Sequence, residues 1–360
     1  MRLSRAESSG WSAFSPVLSA ADLADCRTLL AGGSKSFHAA SKLLPRSVAE
    51  PATALYAFCR VADDAIDLDP SPAALAMLQD RLARACEGRP LPLPADRALA
   101  AVVTRYAIPR AVPEALLDGF AWDRQGRRYE TLSDLTAYAA RVAGTVGIMM
   151  ALLMGERRPA VLARAADLGV AMQFSNIARD VGEDARAGRL YLPLEWLREA
   201  GLDPEAWLAA PGFDARIGRV VARLLAEAAA LYRRSEAGIA RLPLACRPGI
   251  GAARWIYAEI GHEVARNGHD SVSRRAVVSH RRKLALLARS LGAIALPAGG
   301  AAAPCLPETQ FLVEAVAAAP RQVRVPVPEP GTGARVAWMF ELFEQIEQDR
   351  ALGRGTPAAE

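Results

Sequence analysis

Apolar side chains recur every three or four positions along most of this 360-residue chain, which is the spacing of amphipathic α-helices. The sequence has no alternating runs of Val, Ile and Thr, which are typical of half-buried strands. With 52% hydrophobic residues, a chain of this length can bury one large core or two modest ones. The pattern predicts an all-α protein, which we interpret as a single domain.

The helical pattern weakens towards both ends of the chain. Residues 1–20 contain no long apolar stretch, so we expect a flexible N-terminal extension without a secretory signal, followed by a helical domain over residues 21–290. Prolines and glycines between Pro297 and Pro304 interrupt an uncharged stretch, and we predict a linker over residues 291–334 instead of a membrane helix. The apolar segment Val142–Gly155 is also too short to cross a bilayer, which takes roughly 20 residues.

Residues 335–350 are predicted to form an amphipathic C-terminal helix, because Met339, Phe340, Phe343 and Ile346 share one face. We expect this helix to pack back on the helical domain. A contact with a membrane surface is the alternative, although the acidic polar face disfavours anionic lipid. Residues 351–360 are predicted to be a disordered tail.

Two pairs of aspartates at helical spacing carry the clearest chemical signal. The first pair is Asp63 and Asp67, and the second is Asp180 and Asp184. Residues four positions apart project from one helix face, so each pair places two carboxylates side by side. Two such faces opposite each other would hold Mg²⁺, which binds well between carboxylates and the phosphates of a substrate. The spacing therefore predicts a metal-assisted diphosphate site.

Acidic pairs at this spacing are also common on solvent-exposed helix faces, which is the alternative to a metal site. Apolar neighbours surround the first pair and leave little polar face. The second pair continues a polar stripe through Gln173, Asn176 and Arg179 on an otherwise apolar helix. An inward-facing polar stripe is costly unless it binds something, which favours a functional site.

The same segments resemble the squalene/phytoene synthase family, the head-to-head prenyl diphosphate synthases. DDAID at 63–67 and NIARDVGEDARAGRLYLP at 176–193 are similar to its two aspartate-rich motifs. SKSF at 34–37, YAFCR at 56–60, YAARVAGTVG at 138–147 and ACRPGIGAARWIYAEIG at 245–261 extend the resemblance from about residue 29 to residue 287. The extended second motif is specific, whereas DDxxD alone also occurs in chain-elongating prenyltransferases and terpene cyclases.

The resemblance implies an isoprenoid synthase fold, with helices around a central apolar cavity. It also implies a reaction in which two geranylgeranyl diphosphates are joined through prephytoene diphosphate to give phytoene and two diphosphates, as in carotenoid biosynthesis. The segments at 242–250 and 271–287 are most similar to the bacterial members that carry out this reaction.

The resemblance also implies a set of site residues. The metal ligands are expected to be Asp63, Asp67, Asn176, Asp180 and Asp184, and the catalytic residues are the four aspartates together with Tyr138 and Arg60. Arg60 has the alternative of an intrahelical ion pair with Asp63 or Asp64. The expected substrate contacts are Ser34, Lys35, Ser36, Phe37, Tyr56, Arg60, Val142, Val146, Gln173, Asn176, Arg179, Tyr257, Arg275 and Lys283.

Small residues in the 143–147 segment either line the cavity or allow close helix packing. Met149 is expected beside Val142 and Val146 on the cavity wall.

The basic residues are interpreted as a diphosphate clamp and not as a nucleic-acid patch, because the chain has no recognisable nucleic-acid-binding module. This cluster comprises Arg274, Arg275, Arg281, Arg282 and Lys283, in a chain of formal net charge +5. Five scattered cysteines without CxxC spacing predict free thiols.

Cofactor and location follow from the resemblance. Mg²⁺ is the expected cofactor, with Mn²⁺ as a substitute, and no NADPH is expected. The substrate would be geranylgeranyl diphosphate and the location cytoplasmic. A peripheral contact with the inner face of the plasma membrane and an association with other carotenoid enzymes are left open.

Three alternatives accompany this reading. A C15-specific squalene or dehydrosqualene synthase would carry the same motifs. A chain-elongating synthase or cyclase would lack the NxxRDxxxD stripe, and a non-catalytic helical scaffold would not need four aspartates. The sequence alone assigns neither the C20 or C15 preference, nor the oligomeric state, nor the group that removes the final proton.

Overall fold

The computed structural model describes residues 17–31, 43–68, 71–290 and 303–319. These residues form fourteen α-helices, one π-helical turn and no strand, which confirms the all-α prediction. The helices are α1 (Ala20–Ala31), α2 (Arg46–Leu68), α3 (Pro72–Cys86), α4 (Pro94–Tyr106), α5 (Ala111–Arg124), α6 (Leu132–Ala139), α7 (Thr145–Leu153), α8 (Pro159–Arg186), α9 (Leu194–Glu199), α10 (Pro204–Ala209), α11 (Ala215–Ile239), α12 (Arg247–Arg266), α13 (His280–Ser290) and α14 (Pro307–Ala318), with the π turn at Ala140–Gly144 between α6 and α7.

Helix α8 is the central element of the fold. It begins with Pro159, whose fixed φ suits the first helical position, and its 28 residues extend about 42 Å. Its first half contributes Val161 and Leu162 to a hydrophobic core with α2 to α5 and α7. Its second half contributes Phe174 and Ile177 to another core with α6 and α9 to α12.

Glycines let α7 and the π turn lie directly on α8. A Cβ atom at Gly147 would lie 2.2 Å from the carbonyl oxygen of Ala165, and one at Gly169 would lie 2.2 Å from that of Ala143. No other residue fits at either position without a shift of the backbone. Small residues in the 143–147 segment therefore serve close helix packing, and Ala143, Val146 and Gly147 also line a cavity, so both alternatives apply. The same contacts show that α7 and α8 are antiparallel.

The stretch Leu132–Leu153 is continuous helix through the π turn, and it is the one described helix that is long and apolar enough to cross a membrane. Two thirds of its most apolar window, 67%, is buried inside the protein. Its apolar character is accounted for by the core of the fold.

The linker prediction for residues 291–334 is wrong in part. Residues 307–318 form α14, which packs with Leu312, Val313 and Val316 buried against the core. The described chain at the other end begins at residue 17, and α1 starts at Ala20. The predicted helix at 335–350, the tail at 351–360 and most of the 1–20 extension lie outside the described residues. All five cysteines are free, as predicted.

Candidate active site

A cavity of about 220 Å³ runs along α8 between the two cores. Its walls come from the π turn and α7 on one side and from α11 and α12 on the other, with Leu44 contributing from the segment before α2. The predicted wall residues Val142 and Val146 line it, but Met149 does not, since its side chain lies in the hydrophobic core. Met150 and Met154 take that place on the cavity wall.

The cavity has a polar end and an apolar end. Gln173 and Asn176, both predicted from the polar stripe, line it near the second aspartate motif. Tyr257 also lines the cavity and lies near Tyr232, since burial raises the pKa of Tyr232 and the proximity of Tyr257 adds to the rise. The hydroxyl of Tyr232 is 2.9 Å from that of Ser175, the residue before Asn176 on α8. At the other end, one finds the apolar side chains of Met154, Val161 and Leu242.

Asp180 of the second motif is held between two guanidinium groups. Nε of Arg179 donates to its carboxylate over 2.8 Å, and Nε of Arg275 donates over 2.7 Å. Burial opposes ionisation of Asp180, but these hydrogen bonds prevail and keep its pKa below the ordinary value. The loop that carries Arg275 reaches α8 at Gly182, where the absence of a side chain lets the backbone of residues 271–272 pack against the helix. The carbonyl of Ser271 accepts a hydrogen bond from the N–H of Gly182.

Asp184 behaves in the opposite way. Burial, together with the neighbouring charge of Asp180, raises its pKa to about 7. Asp123 and Glu183 add further negative charge to the same place. A group of buried carboxylates that resists ionisation is the environment that a bound cation would stabilise.

The first motif lies on α2. Arg60 pairs with Asp64 at 2.6 Å and approaches Asp63 at 3.7 Å, so its intrahelical alternative is what the structure shows. Burial raises the pKa of Asp123 on α5, and the nearby charge of Asp63 adds to that rise. The first motif thus lies on the same side of the protein as the carboxylates of the second. Asp67 belongs to α2, but its side chain lies outside the described part of the structure.

Asp123 is a site residue that the sequence interpretation missed. Its carboxylate accepts hydrogen bonds from the hydroxyls of Tyr138, at 2.8 Å, and Tyr191, at 2.7 Å. Burial raises the pKa of Asp123, and the two tyrosine hydroxyls oppose that rise. Tyr138 was predicted to be catalytic. It is buried, it does not line the cavity, and its ring stacks on that of Tyr191 with centroids 5.3 Å apart.

The other predicted contacts divide into three groups. Tyr56 lies half-buried on α2, and Lys283 lies half-buried on α13. The basic cluster does not act as one clamp, because Arg282 pairs with the buried Glu259 at 2.9 Å, whereas Arg275 pairs with Asp180 at 2.7 Å. Ser34, Lys35, Ser36 and Phe37 lie outside the described residues.

The donor set at the polar end consists of oxygen ligands. Asp180 and Asp184, with the amide of Asn176, offer the carboxylate and carbonyl oxygens that Mg²⁺ prefers. Among the side chains that the structure describes, no three His, Cys, Asp or Glu converge closely enough to hold one ion by themselves. The arrangement fits a cation shared between these residues and the oxygens of a bound diphosphate.

Comparison with known proteins agrees with this geometry. The model of the squalene/phytoene synthase family matches residues 30–282. A phytoene synthase of Cereibacter sphaeroides is 51% identical over 354 residues, covering 94% of this chain and 97% of the relative. A phytoene synthase of Rhodobacter capsulatus is 56% identical over 278 residues, covering 76% and 82%.

Solved structures give the same result. A dehydrosqualene synthase in complex with a ligand matches with a TM-score of 0.69 and 34% identity over 75% of this chain and 95% of that one. A squalene synthase of Alicyclobacillus acidocaldarius matches with a TM-score of 0.64 and 25% identity over 69% and 95%. The chain thus belongs to the squalene/phytoene synthase family.

Proposed function

We propose that this protein is a prenyltransferase that joins two molecules of the C20 substrate geranylgeranyl diphosphate head to head, giving phytoene and two diphosphates. Two relatives with 51% and 56% identity are phytoene synthases, which supports this reaction over that of other family members. The observation that carries the proposal is the length of the cavity along α8.

Cavity-lining residues on α8 extend from Asn176 at the polar end to Val161 at the apolar end. At 1.5 Å per residue, that separation is about 22 Å. Carbon–carbon bonds of about 1.5 Å at about 111° advance an extended chain by about 1.25 Å each, so the sixteen-carbon main chain of a C20 prenyl group spans roughly 19 Å and a C15 group roughly 14 Å.

A C20 chain fills this length, whereas a C15 chain would leave the apolar end without partner atoms. Unfilled apolar space forfeits dispersion contacts on every wall that borders it. Met154, Val161 and Leu242 line that end, where the terminal isoprene unit of a long substrate would contact them. Their position favours a C20 substrate.

The polar end would hold the diphosphate. Arg179 and Arg275 lie at the second motif and would neutralise diphosphate oxygens once Asp180 is engaged by a cation. Mg²⁺, or Mn²⁺ in its place, would supply Lewis-acid neutralisation of the leaving group when bound to the aspartates. Cleavage of the allylic carbon–oxygen bond then leaves a carbocation at the mouth of the apolar cavity.

The rest of the site would protect and guide that cation. Tyr257 presents an aromatic ring near the polar end, where it would stabilise positive charge through its face. The apolar walls formed by Val142, Val146 and Met150 would exclude water while the second prenyl chain adds. The condensation would give prephytoene diphosphate, a cyclopropylcarbinyl diphosphate, with loss of a proton. Ionisation of this intermediate, rearrangement and loss of a second proton would complete the reaction without a reductant.

The location of the reaction is also a proposal. The enzyme would be cytoplasmic with a peripheral contact at the inner face of the membrane, since the substrate has a long apolar tail and the product is wholly apolar. Co-sedimentation of the full chain with liposomes would test this. Recovery of all the protein in the supernatant would contradict it.

Product stoichiometry tests the proposed reaction. Two diphosphates should be released for each hydrocarbon formed, and only when a divalent cation is present. One diphosphate per condensation would instead indicate chain elongation. Failure of any prenyl diphosphate to react with Mg²⁺ present would identify the protein as a non-catalytic helical scaffold.

A further inference from the structure

The segment 303–319 lies beyond residue 282, where the family match ends, yet it packs on the outer side of the cavity wall. Helix α14 contacts α8, the π turn and the helices α5 to α7. Thr309 and Leu312 are fully buried there. This packing links a C-terminal segment to the part of the protein that surrounds the prenyl chain.

Leu312 supports the π turn from behind. Its Cδ1 atom lies 3.5 Å from the position that a Cβ atom would take at Gly144. The two residues before Gly144, Val142 and Ala143, line the cavity on the inner side. Leu312 and a prenyl chain would therefore contact opposite faces of the same wall.

Phe311 and Trp122 fix the start of the same turn. The guanidinium of Arg141 lies between their rings, 5.2 Å from the centroid of Phe311 and 4.2 Å from that of Trp122. Arg141 also donates a hydrogen bond to the carbonyl of Ala137 over 3.0 Å. These contacts hold the first residues of the turn against α5 and α14.

The backbone before α14 is tied to the other half of the cavity. The carbonyl of Pro304 accepts hydrogen bonds from Arg164, at 3.0 Å, and from Arg234, at 2.7 Å. Both arginines also pair with the fully buried Asp167. Arg164 is itself a cavity-lining residue, so the anchor at Pro304 fixes a second piece of the wall.

We propose that the segment 303–319 is a brace that keeps the cavity wall closed to water during the reaction, with Leu312 as a positioning residue for the π turn. The inference rests on the proposed function, because it concerns the fate of the carbocation. A π turn is wider than an α-helical turn, and here the N–H of Thr145 bonds back to Ala140. Such a turn depends on its surroundings for its shape.

The consequence of removing the brace is chemical. If the wall recedes, water enters and its oxygen bonds to the carbocation, with release of a proton to solvent. A prenyl alcohol then forms in place of the hydrocarbon. The fraction of alcohol among the products is set within each turnover and does not depend on how much of the protein is folded.

The test compares Leu312→Ala with Leu82→Ala in the full-length enzyme, using radiolabelled geranylgeranyl diphosphate and Mg²⁺. Leu82 is a matched control because it is equally buried but lies on α3, away from the cavity. We expect the alcohol fraction to rise several-fold in Leu312→Ala and to stay at the wild-type value in Leu82→Ala. Leu312→Met, which conserves volume, should restore the wild-type fraction.

An unchanged alcohol fraction in Leu312→Ala, or an equal rise in Leu82→Ala, would overturn the brace. If Leu312→Ala is insoluble, Leu312→Val removes a single methylene and is judged by the same comparison. Failure of the proposed function would look different, since the wild-type protein would then form no hydrocarbon at all.

Discussion

Arg275 and Asp180 are 95 residues apart in the chain, but the guanidinium of one lies 2.7 Å from the carboxylate of the other. The loop that carries Arg275 approaches α8 at Gly182, and Arg179 holds the same carboxylate from the adjacent position. A substrate diphosphate with its cation would compete with these arginines for Asp180. This places one carboxylate and two guanidinium cations where a leaving group must be neutralised.

Asp180→Asn should leave the fold intact and lower turnover. The amide keeps the size of the side chain but loses the charge that would bind the cation. The activation barrier should therefore rise by roughly 3 kcal/mol or more, which lowers the rate by about a hundredfold or more. Mg²⁺-dependent diphosphate release measures this. Glu199→Gln, which removes the exposed partner of Arg223, is the control and should keep full activity.

A folded Asp180→Asn variant with near-normal turnover would remove the second motif from the metal site. The corresponding change at the first motif, Asp63→Asn, should have an effect of the same order. Circular dichroism of each variant separates loss of activity from loss of fold.

Tyr138→Phe and Tyr191→Phe should each lower the free energy of unfolding by about 1.5–3 kcal/mol, because each removes a hydrogen bond to the buried carboxylate of Asp123. The two losses should not add, since both donors serve one acceptor. Urea unfolding of the single and double variants measures the coupling. Strict additivity would show that the hydroxyls act independently of Asp123.

Glu259 predicts a pH dependence of stability. Burial would raise its pKa, but hydrogen bonds from Arg282, Arg266 and His262 outweigh it and lower the pKa from 4.5 to about 2. A carboxyl whose pKa is lowered by folding stabilises the folded state at pH values above its pKa in the unfolded chain. This contribution is lost as the pH falls from about 4.5 towards 2. Glu259→Gln should reduce the slope of the free energy of unfolding against pH over that interval. An identical slope in both proteins would exclude Glu259 as its source.

Met154→Ala should extend the cavity at its apolar end. We expect kcat/KM for a C25 prenyl diphosphate to rise relative to that for the C20 substrate, because the larger cavity accommodates the extra unit. Met149→Ala is the matched control, since Met149 is a buried neighbour in the core that does not line the cavity. It should cost about 2–5 kcal/mol of stability without changing the substrate ratio. An equal change in both variants would show that Met154 does not limit chain length.

Much of the polar end could be predicted from sequence. Regular helical spacing carries Gln173, Asn176 and Asp180 to one face of α8, and no tertiary information is needed to see that. Asp123 could not be found in this way, because its role depends on Tyr138 and Tyr191, which lie 15 and 68 residues away. A lone aspartate before a polar loop carries no pattern of its own.

The errors along the wall and the C-terminus also have physical causes. Met149 and Met150 both follow Val146 in the regular helix α7, but the cavity borders the side of that helix that carries Gly147, Met150 and Met154. Met149 is therefore left in the core. Proline and glycine before Pro304 concealed the start of α14. Its signal was present in Pro307 at the first helical position and the apolar spacing of Leu312 and Val316.

The identity of the hydrocarbon formed from each substrate distinguishes a phytoene synthase from a C15-specific enzyme. The purified enzyme should be incubated with Mg²⁺ and labelled C20 or C15 diphosphate, each with and without NADPH, and the hydrocarbon separated by chromatography. Phytoene should form from the C20 substrate, in equal amount with and without NADPH. Exclusive use of the C15 substrate, or a reduced hydrocarbon that appears only with NADPH, would contradict it.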